Sequence, residues 1–201
     1  MPKVKVPRKT TNVDMTAMCD VAFLLLTFFM LTSNFVAKEP IVVAVPSSIS
    51  EIKIEERDIL TVLIDKEGKV FVGLDAQNDR REVLDKVGKA YQLSFSEKEL
   101  KEFSKIGMMG VPIGKMNAFL ALKPEERDSK EAALGIPTDS ISREFETWIK
   151  SAKIVNPKLR LAIKADSNTP YKVIKDVMTT LVKIKENRYN LITSLEKDPN
   201  K

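Results

Sequence analysis

Asp20 is the residue whose chemistry fits its surroundings least. It lies in Met15–Val36, MTAMCDVAFLLLTFFMLTSNFV, and is the only formally charged side chain there. At about 1.5 Å rise per residue, a run of this length crosses a ~30 Å hydrocarbon core. A carboxylate in such a segment costs about 2.5–3.5 kcal/mol on insertion scales, so it reads as functional. Enclosure favours a neutral carboxyl and hydration an ionised one, which is the chemistry of a proton carrier. On a 3.6-residue helix Asp20, Leu24, Thr27 and Leu31 share one stripe, so the Thr27 hydroxyl faces the same way. Asp20 and Thr27 are therefore the proton-carrying candidates. The alternative for Asp20 is a hydrogen bond to a neighbouring helix that only fixes assembly. For Thr27 it is a bond to the i−4 carbonyl of its own helix.

Other chemistries have little to work with. The chain has no histidine, which removes Ser–His and Cys–His hydrolase arrangements and His-ligated zinc. Its single cysteine, Cys19, lies inside the apolar run, so there is no intramolecular disulfide and no basis for a Cys metal site. No metal, cofactor or enzymatic activity is expected. Ile106–Lys115, IGMMGVPIGK, has glycines and a lysine but not the GxxxxGK[ST] spacing that cradles phosphate, and it reads as a flexible turn. Glu125/Glu126 and Glu144/Glu146 read as solvated charges on exposed helix faces. The net charge of +5 comes from 33 basic and 28 acidic residues spread along the chain, with aromatics at only 6%. That pattern argues against nucleic acid as a partner.

The elements around Asp20 set its orientation and its cargo. Lys3, Lys5, Arg8 and Lys9 precede the run, opposed only by Asp14. By the positive-inside rule residues 1–14 form a cytoplasmic tail, 15–36 a transmembrane helix, and the remainder lies across the membrane. A cleaved signal, with h-region Val21–Leu31 and cleavage near Ser33–Ala37, fits less well. The run is long, Asp20 interrupts it, and no small-x-small site follows. Residues 37–58 contain Pro40 and Pro46 and read as an extended linker, with Val42–Val45 at most a short strand.

Residues 59–201 read as a small α+β domain. Ile59–Ile64, the turn Asp65–Gly68 and Lys69–Val72 form a hairpin signal. Leu159–Lys164 alternates as a strand. A helix follows with Thr169 as N-cap, Pro170 first, and a stripe of Ile174, Val177, Met178, Leu181 and Ile184. Tyr189–Thr193 is the last strand. Between these halves, about 75–157 reads as a helical insertion. It holds Arg80–Tyr91, a capping box Ser96-x-x-Glu99, a helix from Pro124 to Gly135, and another over Asp139–Lys153 with Ile141, Phe145, Trp148, Ile149 and Ala152 inward.

Asp14–Met30, with Asp20 followed by Val21, resembles the membrane segment of the ExbD/TolR biopolymer-transport family. The hairpin around Asp65–Gly68, and Leu161–Asp166 followed by Pro170-Tyr171, resemble that family's external domain. Where members often carry proline before the aspartate, this chain has Ala17, and the insertion is unmatched. The resemblance implies a single transmembrane helix plus a small α+β periplasmic domain in the bacterial inner membrane, with the N-terminus cytoplasmic. It implies a homodimer within a polytopic ExbB/TolQ-like ring, in contact with membrane lipid and coupled to a TonB/TolA-like periplasm-spanning protein. It places the family's protonatable aspartate at Asp20. A membrane-anchored periplasmic scaffold and a MotB-like stator subunit are the alternatives. The second would need a larger external domain than the chain has room for.

Overall fold

The apolar run is helical from Met15 to Thr32 (α1) in the computed structural model, which describes residues 15–33, 43–48, 58–127, 134–139 and 142–195. The helix stops short of the expected Val36: Ser33 is already non-helical, and residues 34–36 lie outside the described residues. At 18 residues it is about 27 Å long. It is long and apolar enough to cross a membrane, and none of its side chains is buried within the chain. It falls in one compact unit, Met1–Val36, and all other elements fall in a second, Ala37–Lys201.

The second unit is built on a mixed five-stranded sheet ordered β4-β3-β2-β5-β6. Its centre is the hairpin of β2 (Ile59–Ile64) and β3 (Val70–Leu74), antiparallel with Val62 opposite Val72. Gly68 takes φ +80° in the turn, a conformation that a side chain resists. β5 (Arg160–Ala165) pairs parallel with β2, and β6 (Tyr189–Leu191) parallel with β5. The short β4 (Met108–Met109) closes the far edge against β3. Period-two alternation sends Leu60, Val62, Ile64, Val70, Val72 and Leu74 to one face, where the main core lies. Leu63 and Phe71 point the other way and pack with Val43.

Helices cover the main face. α2 (Gln77–Ala90) contributes Val83, Leu84 and Val87, and α7 (Tyr171–Lys183) contributes Val177 and Leu181. α3 (Glu97–Ser104) begins with the expected capping box: the Ser96 hydroxyl accepts the Glu99 N–H, and the Glu99 carboxylate accepts the Ser96 N–H at 2.7 Å. After β4 come a 3-10 turn at Ile113–Lys115, α4 (Met116–Ala121) and α5 (Pro124–Arg127). α6 (Glu144–Val155) buries Phe145, Trp148, Ile149 and Ala152.

Several local expectations are corrected. Ile106–Lys115 is no flexible turn, because it supplies β4 and buries Met109, Val111 and Ile113. Helix α6 begins at Glu144, not Asp139. The Asp139 carboxylate instead accepts the Ser142 N–H at 2.9 Å, and Arg143 sits at φ +49°, which ends any earlier helical path. Ile141 lies outside the described residues. Helix α5 ends its described course at Arg127, and Leu134 is non-helical, so no helix reaches Gly135. Thr169 does not cap α7. Its hydroxyl is buried and donates to the Asp65 carbonyl at 3.0 Å, tying the helix entry to the hairpin turn.

Candidate functional site

On α1 the carboxyl of Asp20 is exposed and makes no hydrogen bond or ion pair among the described residues. Leu24 and Leu31, at four and eleven residues on, are exposed as well, so the stripe they share with Asp20 is open to a partner. Thr27 lies on the same stripe and is half-buried. Its hydroxyl donates to the Leu24 carbonyl at 2.9 Å, an i−3 bond, and thereby satisfies itself on its own helix. Its lone pairs stay available. Thr32 makes the same kind of bond to Phe28 at 2.8 Å. The basic residues Lys3, Lys5, Arg8 and Lys9, and with them Asp14, lie outside the described residues.

In the second unit three charged side chains do work that sequence spacing did not disclose. The first is Asp166, at the C-terminal end of β5. Its carboxylate accepts the N–H groups of Asn168 at 2.9 Å and Ala44 at 3.0 Å, which hold its pKa below the usual carboxylate range. The Ser167 N–H donates to the Ala44 carbonyl at 2.9 Å, and Val43 is buried on Leu63 and Phe71. A few residues on, β1 (Ser47–Ser48) pairs parallel with β7 (Ser194–Leu195). The described part of the expected linker, 43–48, is thus strapped to the domain. The reason is chemical: Asp166 offers the backbone at Ala44 a partner that a free linker lacks.

The second is Arg80, buried at the start of α2. Its guanidinium donates to three carbonyls: Leu74 at 2.7 Å, Asp75 at 2.7 Å and Ser104 at 2.8 Å. It therefore fastens the end of β3, the entry to α2 and the end of α3 together. Burial lowers its pKa, opposed by the Asp75 carboxylate, whose own pKa burial raises. The third is Glu144, expected as a solvated charge. It is buried, and accepts the Ile113 N–H at 2.9 Å, anchoring the loop after β4 to α6. Burial raises its pKa. Glu146 is also largely covered, and pairs with Lys150 at 2.7 Å and Lys183 at 3.6 Å. Glu126 is exposed, as expected.

The open surfaces of this unit are shallow. A cleft of about 60 Å³ lies between Thr138, Arg143, Glu146 and Lys183, and a groove of about 240 Å³ between the C-terminal turns of α6 and α7. Among the described residues no three His, Cys, Asp or Glu side chains converge as metal ligands. The one chemically unusual group in an otherwise apolar element is the carboxyl of Asp20. A family model described as biopolymer transport protein ExbD/TolR matches residues 7–108. The match spans α1, the β2–β3 hairpin, α2 and α3, and so reaches into the 75–157 block while stopping before Leu161–Tyr171. No curated protein and no solved structure matches the chain.

Proposed function

Because the chain belongs to the ExbD/TolR family of biopolymer-transport proteins, we propose that it is a proton-motive-force-coupling subunit of an inner-membrane motor of the ExbB–ExbD or TolQ–TolR type. The family is one of non-enzymatic transport accessory proteins that work with ExbB/TolQ-type and TonB/TolA-type partners. What carries the proposal is Asp20, a single carboxyl with no partner among the described residues of an apolar helix that lies inside the family match.

In this reading α1 spans the inner membrane with residues 1–14 in the cytoplasm and the α+β unit in the periplasm. Two copies of α1 sit within a polytopic partner ring. Asp20 takes a proton where the path is hydrated and carries it neutral where the ring encloses it, since low dielectric disfavours the ionised form. Each proton crossing the full potential releases about 2.3 kcal/mol per 100 mV, so a few protons suffice to drive rotation of α1 against the ring. Thr27 lines the same path as a secondary hydrogen-bonding group. The domain passes the motion to a periplasm-spanning protein and so to the outer membrane.

Asp20→Asn keeps the size and hydrogen-bonding capacity of the side chain but cannot release a proton. The expected result is loss of energised transport at normal membrane abundance, as complete as when the proton gradient is dissipated. Wild-type transport by that variant would defeat the proposal. Thr27→Val should give a partial loss only, because its hydroxyl is already engaged by Leu24.

A further inference from the structure

Motion of α1 can reach the sheet of the second unit only along the chain, through residues 37–58. As a free linker that stretch would extend to about 75 Å at roughly 3.4 Å per residue, too slack to pass on a small movement. The fold shortens it. Ala44 is held by both of its backbone groups, and by two consecutive residues at the end of β5. Its N–H donates to the Asp166 carboxylate at 3.0 Å, and its carbonyl accepts the Ser167 N–H at 2.9 Å and the Ser167 hydroxyl at 3.2 Å. Before this clasp Val43 is buried against Leu63 and Phe71, and after it Ser47–Ser48 pairs with Ser194–Leu195.

The residue that does the holding is itself fixed. Asp166 is only 9% exposed. Its second carboxylate oxygen accepts the Asn168 N–H at 2.9 Å. Its own N–H donates to the Ile64 carbonyl, and its carbonyl accepts the Thr169 N–H, both at 3.0 Å. β5 lies inside the sheet, between β2 and β6. A pull on Ala44 is therefore delivered to an interior strand and not to an edge. It also meets a hydrogen bond to a carboxylate, roughly twice as strong as one between neutral groups.

We propose that Asp166 is the residue through which the motion of α1 enters the α+β unit: by clasping Ala44 it makes 37–42 the working tether and leaves 49–57 off the load path. The inference rests on the coupling function proposed above and gives it a point of entry. A tether of 37–42 extends to about 20 Å at the same rise, short enough to be drawn taut. Asp166 acts through Ala44 and is a positioning residue. If its bonds served the stability of the domain alone, added length in 37–42 would matter no more than added length in 49–57.

Two insertions of Gly-Ser-Gly-Ser into the full chain, expressed with its membrane partners, separate these cases. Each adds about 14 Å of slack. Between Lys38 and Glu39 the insertion is expected to lower energised transport at least about tenfold, and between Lys53 and Ile54 to leave it within about twofold of wild type. Asp166→Asn should also lower transport. A disulfide joining Ala44→Cys to Ser167→Cys, in a Cys19→Ser chain, replaces the clasp covalently. It should restore transport to Asp166→Asn, and reduction should remove that rescue. The proposal is overturned if the two insertions have equal effects, or if the disulfide forms in Asp166→Asn without restoring transport. Asp20→Asn is measured alongside. Normal transport by that variant defeats the proton reading whatever the insertions do, whereas a defective Asp20→Asn beside two equal insertions overturns the clasp alone.

Discussion

Asp20 and Arg80 show how differently two charged residues reveal themselves. Asp20 stands out by contrast, since any carboxyl in an apolar helix must explain its desolvation. Arg80 looks like one more charge in a polar helix, QNDRREVLDKVGKA. Its importance depends on three carbonyls, Leu74, Asp75 and Ser104, which only the folded chain brings within 2.8 Å. Removing the guanidinium by Arg80→Met strands those acceptors and is expected to cost about 2–5 kcal/mol. Arg80→Lys should recover little, because one ammonium cannot reproduce a planar fork reaching three directions. Urea unfolding of the full chain in detergent, followed by fluorescence of Trp148, the chain's single tryptophan, measures both. A midpoint unchanged by Arg80→Met would show that the clamp is dispensable.

Among the elements, the hairpin, the capping box of α3 and the stripes of α2, α6 and α7 were legible because each is written in local spacing. The segment Ile106–Lys115 was not. Its glycines read as turn formers, yet Gly110 is there for space: a Cβ at that position would stand 2.0 Å from the Phe71 ring. Its carbonyl also accepts the Gly135 N–H at 2.7 Å. Gly110→Ala must displace Phe71 and is expected to destabilise the domain by about 1–3 kcal/mol. Gly114→Ala is the internal control, since nothing lies within 4 Å of its would-be Cβ. It should change stability by less than about 0.5 kcal/mol. Equal effects of the two substitutions would remove the packing explanation. Thr169 also failed as a cap. The helix starts one residue later than expected, with Pro170 at the N-cap and Tyr171 first, so the Thr169 hydroxyl stands outside it and donates to the Asp65 carbonyl on a distant turn.

Across the whole molecule, two carboxylates oppose each other in their response to pH. The N–H groups of Asn168 and Ala44 depress the pKa of Asp166, so its stabilisation is present above the ordinary carboxylate range and is lost as pH falls through the lowered value. Burial raises the pKa of Glu144, so the fold binds that proton more readily than the unfolded chain does and gains as pH falls through the raised value. Asp166→Asn should therefore lower the denaturation midpoint at neutral pH, with the difference from wild type vanishing in strong acid. It should also speed hydrogen exchange at the Ala44 amide, because the single oxygen of an amide cannot serve both the Ala44 and the Asn168 N–H groups. Glu144→Gln keeps an oxygen for the Ile113 N–H and should flatten the mildly acidic part of the profile. Midpoints measured from pH 7 to pH 3 test both signs, and parallel profiles for all three proteins would contradict them.

By itself the sequence determined the apolar helix, its misplaced carboxyl, the α+β order of strands and helices, and the family resemblance. All of these are properties of composition or of short-range periodicity, which the backbone enforces locally. Tertiary structure alone decided which polar groups were consumed by the fold and which were left over. Thr169, Glu144, Arg80 and Asp166 found partners 104, 31, 24 and 122 residues away, and no local pattern encodes a hydrogen bond across such distances. Asp20 found none among the described residues, as the proton-carrying role proposed for it requires.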